Sequence, residues 1–217
     1  MRTLIIGYGE VGKALDAVLD EVYEVLALDR TDEDYTHFEP EILHITFPYS
    51  DKFVDYVKEY QEKFKPKYTV IHSTTPVGIS RKCGAIHSPI RGKHPFLAEG
   101  IKTFVKYFGG DQVSEVADYF RLAGIRVCLY DKSETTEAMK LFDTEYYKVC
   151  IEFCQRVKRY CDEHNLNFHE IYTLPNESYN SGYTALGNPE FVRPILQPIM
   201  KEIGGHCVLE NSKLIDG

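Results

Sequence analysis

No run of about 18 apolar residues, the least that a membrane-spanning helix needs, occurs in this sequence of 217 residues. The amino-terminus also lacks the basic start and apolar centre of a signal peptide. Hydrophobic residues make up 43% and charged residues 27% of the chain, which is ordinary for a soluble globular protein. We therefore expect a cytoplasmic protein that does not insert into a membrane.

Positive charge is scarce, with 25 lysines and arginines against 33 acids and a net charge of -8. Nucleic acids are bound through clustered basic side chains that displace counterions from phosphates. A nucleic-acid partner is therefore not expected.

Six cysteines occur, and their spacing fits neither a disulfide framework nor a zinc site. Three of them, Cys150, Cys154 and Cys161, fall within one helical stretch. We expect most of the cysteines to be reduced and buried, and we expect no metal site.

The chain begins with an apolar strand, residues 2–6, which runs into the glycine loop G-Y-G-E-V-G and then into helical periodicity over residues 10–20. Gly7 permits a tight turn, Gly9 lets the backbone approach a pyrophosphate, and Gly12 allows close helix-to-strand contact. The helix amino-terminus adds free N–H groups and positive potential. The sequence thus predicts an NAD-binding loop formed by Gly7, Tyr8, Gly9, Glu10, Val11 and Gly12.

A second predicted strand, residues 22–28, ends at Asp29, which lies 17 residues beyond Gly12. An acid at this position of the fingerprint accepts hydrogen bonds from the ribose hydroxyls of adenosine and repels a 2′-phosphate. NAD is therefore favoured over NADP as the cofactor, although Arg30 is adjacent. The alternative is that Asp29 is a solvated turn residue.

Further strands are predicted at 42–46, 68–72, 84–87, 104–108 and 125–129, alternating with helices near 51–64 and 112–123. Such alternation is typical of a mostly parallel sheet that helices cover on both faces. The predicted fold class is α/β, with a Rossmann-type, doubly wound sheet in a domain spanning residues 1–132.

Residues 133–164 contain neither proline nor glycine, and their apolar residues recur at steps of three and four. One amphipathic helix of about 30 residues, on the order of 45 Å long, is therefore predicted. Because its apolar residues occupy more than one face, we expect it to assemble a homodimer. A short helical or irregular tail follows, and residues 133–217 form the predicted substrate and dimerisation element.

Residues 73–78, S-T-T-P-V-G, lie at the carboxyl end of a predicted strand and resemble the S-T-V-P-V-G segment of the UDP-glucose and GDP-mannose dehydrogenase family. Residues 95–100, P-F-L-A-E-G, resemble its P-E-F-L-x-E-G segment. Residues 138–141 resemble the stretch that carries the family's catalytic lysine, and residues 204–207 match its G-G-H-C motif. These segments occur in the family's order and span almost the entire chain.

The resemblance implies that NAD takes a hydride from an alcohol and that Cys207 traps the aldehyde as a thiohemiacetal. A second hydride then leaves, and water hydrolyses the thioester. Lys140 would stabilise the developing oxyanion, and Thr74, beside Ser73, would position the water or the nicotinamide. Cys207 and Lys140 are accordingly expected to face one pocket beside the nicotinamide.

The sequence also departs from the family's pattern. The first glutamate of P-E-F-L is missing, so that only Glu99 is carried over as an acid. Thr144 replaces an asparagine, and Asn211 replaces an aspartate, which leaves Glu210 or His206 as the base for hydrolysis. Because the sequence ends at Gly217, where the family continues into a domain that holds the nucleotide-sugar, we expect a substrate other than a UDP-sugar.

Two alternatives stay open at this point. One is a two-electron dehydrogenase of the β-hydroxyacid type, which would use Lys140 and need no cysteine. The other is a non-catalytic NAD-binding protein, in which Lys140 is a surface lysine and Cys207 a packed thiol. His87 and His94, beside the basic pair Arg91 and Lys93, either bind an anionic substrate or lie in a solvated loop.

Overall fold

The computed structural model describes residues 2–29, 37–199 and 211–215. The chain divides into two compact units, the first ending at Leu141 and the second beginning at Phe142. The sequence predicts a domain boundary after residue 132, which assigns the whole long helix to the substrate and dimerisation element. That boundary stays a prediction. Arg30 and the G-G-H-C motif with Cys207 lie outside the described residues.

A seven-stranded sheet forms the centre of the first unit, with the strand order β2-β1-β3-β4-β5-β6-β7. The strands are β1 (Arg2–Ile6), β2 (Glu24–Leu28), β3 (Ile42–Ile45), β4 (Tyr68–Ile71), β5 (Ile86–His87), β6 (Lys106–Gly109) and β7 (Val127–Tyr130). The helices are α1 (Glu10–Leu19), α2 (Phe53–Phe64), α3 (Ile79–Lys82), α4 (Leu97–Thr103), α5 (Val113–Leu122) and α6 (Ser133–Glu163), which continues into the second unit.

All neighbouring strands are parallel except β5 and β6, which are antiparallel. Strands β3 and β4 are buried at every position, as expected of a parallel sheet that is covered on both faces. The predicted Rossmann-type, doubly wound and mostly parallel sheet is confirmed.

Alternate strand residues face opposite sides of the sheet and supply two apolar cores. Ile5 belongs to the core formed with α1, α4 and α5, whereas its neighbours Leu4 and Ile6 belong to the core formed with α2 and α3. This double cover leaves the loops at the carboxyl ends of β1 to β4 as the place where a ligand can meet the sheet.

Helices α3 and α4 were not predicted, because residues 76–78 and 95–100 contain the proline and glycine that usually mark loops. The strand expected at 104–108 begins at Lys106 instead, since α4 occupies the residues up to Thr103. The other predicted strands and helices of this unit differ from the structure by two residues or fewer at most of their ends.

In the second unit, α6 ends at Glu163, one residue before the predicted end. A π-helical turn (His169–Thr173), helix α7 (Leu174–Ala185) and a 3-10 turn (Pro189–Phe191) follow. Helix α7 tolerates Pro175 because a proline in the first turn removes no intrahelical hydrogen bond. In the described part of the second unit, the buried side chains with an apolar character are those of Cys154, Cys161 and Tyr172.

Five cysteines are described, and none of them forms a disulfide with another. Cys83, Cys154 and Cys161 are buried, as most were expected to be. Over the described ranges, no helix is both long enough and apolar enough to cross a bilayer. Within the same ranges, no three His, Cys, Asp or Glu side chains are grouped as metal ligands would be.

Candidate functional site

The loops after the first four parallel strands are connected to one another at the carboxyl edge of the sheet. The Gly7 N–H donates to the Leu28 carbonyl at 2.8 Å, which joins the glycine loop to the end of β2. Thr46 Oγ1, after β3, donates to the Gly7 carbonyl at 2.6 Å. The hydroxyl of Ser73, after β4, donates to the Phe47 carbonyl at 2.6 Å. Hydrogen bonds therefore link the four loops into one continuous edge.

The three glycines of the glycine loop meet different requirements. Gly7 has a positive φ of 102°, which side chains rarely adopt. A Cβ on Gly12 would lie 2.1 Å from the Gly7 carbonyl oxygen, so the close approach of α1 to β1 depends on glycine there. A Cβ on Gly9 would meet nothing within 4 Å.

Gly9 is thus not required by the fold, and it caps α1 without any side-chain hydrogen bond. It leaves open space at the amino-terminus of a helix, where free N–H groups and the helix dipole favour a negatively charged group. These features fit the pyrophosphate of a dinucleotide.

Of the other residues of the glycine loop, Tyr8 and Glu10 are exposed and Val11 faces the core. The Tyr8 hydroxyl donates to Asp16 at 2.6 Å. Oε2 of Glu10 lies 2.5 Å from Nδ1 of His94. Val11 is half-buried and packs against the core beneath α1. His94 is therefore placed beside the glycine loop, although it comes from the loop before α4.

Asp29 directly follows the last residue of β2 and is exposed. Since the preceding carbonyl, that of Leu28, accepts the Gly7 N–H, Asp29 is held at the rim of the glycine loop. This is the position that a ribose-binding acid requires.

The segment 73–78, which we call the threonine loop, contributes Ser73 and Thr74 to the same edge. Ser73 is buried, and Thr74 is half-buried. The next hydroxyl, that of Thr75, is buried and donates to Glu137 of α6 at 3.3 Å. The threonine loop is thus attached both to the sheet edge and to the start of α6.

Lys140 lies on the part of α6 that belongs to the first unit and is half-buried. Burial lowers the pKa of His87 to about 3, and the charges of Lys106 and Lys140 add to this lowering. The ammonium group of Lys140 is therefore close enough to the threonine loop's neighbour His87 to influence it electrostatically.

The interpretation of His87 as part of a solvated loop was wrong, because His87 is the last residue of β5 and is fully buried. Its Nε2–H donates to the Ser73 carbonyl at 3.2 Å, and its Nδ1 lies 2.9 Å from Thr136 Oγ1, which donates to it. His87 therefore belongs to the framework behind the threonine loop, out of contact with solvent.

The remaining predicted site residues lie elsewhere. Glu99 is exposed in the first turn of α4. In the second unit, Thr144 is half-buried on α6 and Asn211 is buried. The Ser212 hydroxyl donates to Glu145 at 2.7 Å and accepts from Lys148 at 2.8 Å, which docks the segment after Cys207 on α6.

A buried cluster of basic residues, which sequence patterns did not indicate, lies on the α1 side of the sheet. His44 Nδ1 and His72 Nε2 are 2.9 Å apart, and His72 Nδ1–H donates to the Ser88 carbonyl at 2.6 Å. The amine of Lys106 donates to the same carbonyl at 3.0 Å. Burial lowers the pKa of His44 to about 3 and holds the pKa values of His72 and Lys106 well below their usual ranges.

No protein-family model matches the sequence, and no curated protein matches it either. Solved structures do share its fold. The UDP-D-ManNAc dehydrogenase of Pyrococcus horikoshii superposes with a TM-score of 0.77 at 15% identity, over 99% of this chain and 64% of that chain. The UDP-N-acetyl-mannosamine dehydrogenase Cap5O of S. aureus superposes with a TM-score of 0.66 at 16% identity, over 99% and 65%.

The chain has the fold of nucleotide-sugar dehydrogenases. The resemblance seen in the sequence is thus confirmed for the fold. The 3-hydroxyisobutyrate dehydrogenase of Mycobacterium tuberculosis shares this fold too, with a TM-score of 0.65 at 12% identity over 91% of this chain and 76% of that chain. The chain spans less than two thirds of the length of the two sugar-nucleotide enzymes, 64% and 65%.

Proposed function

We propose that this chain binds NAD at the glycine loop and is an oxidoreductase acting on an alcohol group of a small polar or anionic substrate. The observation that carries the proposal is the open space at Gly9, combined with the close packing at Gly7 and Gly12. Packing within the fold does not require a glycine at position 9. A ligand that approaches the backbone closely would explain why this residue has no side chain.

Asp29 supports NAD over NADP. Its carboxylate is exposed at the rim of the glycine loop, where it would accept hydrogen bonds from both ribose hydroxyls of the adenosine half. A 2′-phosphate at this position would meet the carboxylate as a like charge.

Bound NAD would supply the hydride acceptor, and the chain's own groups would bind and orient the alcohol. Lys140, half-buried near His87, offers a cation for an oxygen that gains negative charge. The Thr74 hydroxyl, on the threonine loop, would hold the substrate or a water molecule by a hydrogen bond. The resemblance assigns the nucleophile of a second oxidation to Cys207.

The solved structures that share this fold support an oxidoreductase, and their names point to two different reactions. One group is named for nucleotide-sugar substrates and the other for 3-hydroxyisobutyrate. A β-hydroxyacid-type, two-electron reaction would use Lys140 and leave Cys207 without a catalytic role. A third hypothesis is that the protein binds NAD without turning over a substrate. The family's asparagine and aspartate are replaced here by Thr144 and Asn211, which favours this hypothesis.

The exposed aromatic side chains of α6 support the proposed homodimer. Phe142 and Tyr146 are 62% and 64% exposed, and Phe153 and Tyr160 are 47% and 54% exposed. Subunit interfaces are enriched in aromatic residues, and a second copy of α6 would cover these side chains.

The deciding experiment measures NADH formation with UDP-sugars, hydroxy acids and simple alcohols, in wild type and in the variants Cys207→Ser and Lys140→Ala. A four-electron enzyme yields two NADH per substrate, and Cys207→Ser stops it at or before the aldehyde. A two-electron enzyme yields one NADH and is unaffected by Cys207→Ser. In both cases Lys140→Ala slows the first hydride transfer, whereas the matched control Cys128→Ser has no effect.

NADH binding without NADH formation from any of these substrates would contradict the proposed activity and leave a binding protein. The absence of binding to NAD or NADH would contradict the whole proposal.

A further inference from the structure

Glu137, which sequence patterns did not single out as functional, is completely buried in the second turn of α6. One carboxylate oxygen accepts the Gly78 N–H at 2.6 Å, and the other accepts the Ser80 N–H at 2.8 Å and the Thr75 hydroxyl at 3.3 Å. The three donors come from residues about 60 positions earlier in the chain, at the end of the threonine loop and the start of α3.

The preceding residue of α6, Thr136, is linked to the other end of the threonine loop through His87. Thr136 Oγ1 is 2.9 Å from His87 Nδ1, and the opposite ring nitrogen of His87 is 3.2 Å from the Ser73 carbonyl oxygen. Thr136 and His87 are both fully buried. Two consecutive residues of α6 therefore hold the threonine loop at both of its ends.

These contacts fix a relation between two groups that the proposed chemistry needs. Thr74 lies between the two attachment points, and Lys140 follows Glu137 by three residues, less than one helical turn away. A buried carboxylate depends on its hydrogen-bond donors for stabilisation, so losing one of them is costly and the loop is held firmly.

We propose that Glu137 is a positioning residue that holds Thr74 at a fixed distance from Lys140. The effect of Glu137 on catalysis rests on the proposed function. The attachment of the threonine loop to α6 by Glu137 does not depend on that function.

The test compares Glu137→Gln with Glu134→Gln. A glutamine at 137 presents an NH₂ group to one of the two backbone N–H donors, so that one hydrogen bond becomes a repulsive contact. Glu134 lies on the same helix and forms an ion pair with Arg81 at 2.9 Å, without a hydrogen bond to the threonine loop. Glu134→Gln therefore controls for the loss of one negative charge at this end of α6.

The first measurement needs no activity and reads the acetylation rate of Lys140 by mass spectrometry, together with hydrogen exchange at Gly78 and Ser80. Glu137→Gln should raise both by about fivefold, the effect of losing about 1 kcal/mol of local hydrogen bonding. Glu134→Gln should change neither. Lys106, which is only 4% exposed, should stay unmodified in both variants and so reports that the domain is folded.

Should Glu137→Gln not fold, Glu137→Asp serves in its place, because it keeps the charge and withdraws the carboxylate by one methylene. It should raise the acetylation of Lys140 in the same direction. Faster exchange at Gly78 and Ser80 with an unchanged Lys140 would overturn the proposal, since Glu137 would then hold only the loop.

The second measurement uses turnover and NADH affinity. Glu137→Gln should lower kcat by about tenfold or more, because a shift of about 1 Å between reacting groups can cost a hundredfold. The dissociation constant of NADH should stay within about twofold, as the glycine loop is untouched. In a Lys140→Ala background, Glu137→Gln should have almost no further effect on kcat.

An equal loss of kcat in both backgrounds would mean that Glu137 does not act through Lys140, which overturns the proposal. A protein without turnover on any substrate would contradict the proposed function, and the acetylation and exchange results would still decide whether Glu137 couples the loop to α6.

Discussion

Polar groups are buried in the first unit, and large apolar groups are exposed in the second. His44, His87 and Lys106 are at most 4% exposed in the first unit, and each is hydrogen-bonded to a neighbouring side chain or carbonyl. In the second unit Phe142 and Tyr146 are more than 60% exposed on α6.

This contrast follows from the architecture of each unit. A parallel sheet with helices on both faces has an interior large enough to enclose polar side chains together with their partners. A long helix joined to a few short elements has no such interior, so its apolar side chains stay in contact with water unless another surface covers them. We therefore expect the first unit to be sensitive to pH and the second to a partner surface.

The largest expected effect is acid destabilisation of the first unit. His44 and His87 have pKa values of about 3 in the fold, against an ordinary value of 6.5. The unfolded chain then binds more protons at these two histidines below pH 6.5, so their contribution to stability is complete above that pH and falls as pH approaches 3. At pH 5 each histidine should cost about 2 kcal/mol, for roughly 4 kcal/mol in total.

Urea unfolding at about pH 7.5 and pH 5 measures this difference. His44→Asn keeps a donor toward His72 but does not titrate, and should reduce the slope by about 1.4 kcal/mol per pH unit within the window. His169→Asn, at an exposed position of the second unit, should leave the slope unchanged. Equal stability of the wild type at the two pH values would contradict the account of the buried cluster.

A smaller effect is expected on assembly. Tyr146→Glu places a charge on the exposed aromatic face of α6 and should convert the proposed dimer into a monomer, because an interface core excludes unpaired charges. Leu122→Glu is the matched control, since Leu122 is 75% exposed but belongs to the first unit. Light scattering at micromolar concentration distinguishes the states, and a monomeric wild type would count against the dimer.

Features that depend on neighbouring residues were predictable from the sequence. The glycine loop, the acid that ends β2 and the helix from Ser133 each depend on local spacing, and the structure contains all three. The periodicity of α6 likewise needed no knowledge of distant contacts.

Features that depend on contacts between distant residues were not predictable. The spacing of three residues puts Glu137 on the same helix face as Lys140. It does not show that Glu137 accepts hydrogen bonds from Gly78 and Ser80, 59 and 57 positions away. His87 similarly ends a predicted strand, and its contacts with Thr136 of α6 and with the Ser73 carbonyl come from distant parts of the chain. A polar residue in a predicted strand does not show which distant residue will form a hydrogen bond with it.

The most direct test of the account is calorimetric titration of NADH and NADPH into the wild type, Gly9→Ala and Asp29→Ala. We expect NADH to bind more tightly than NADPH to the wild type. Gly9→Ala should fold normally, because its Cβ meets nothing within 4 Å, and should weaken NADH binding where the pyrophosphate approaches.

Asp29→Ala should weaken NADH binding by about tenfold or more, the loss expected of hydrogen bonds to a charged group, and should narrow the preference over NADPH. Equal or tighter binding of NADPH to the wild type, or unchanged NADH affinity in both variants, would contradict an NAD site at the glycine loop.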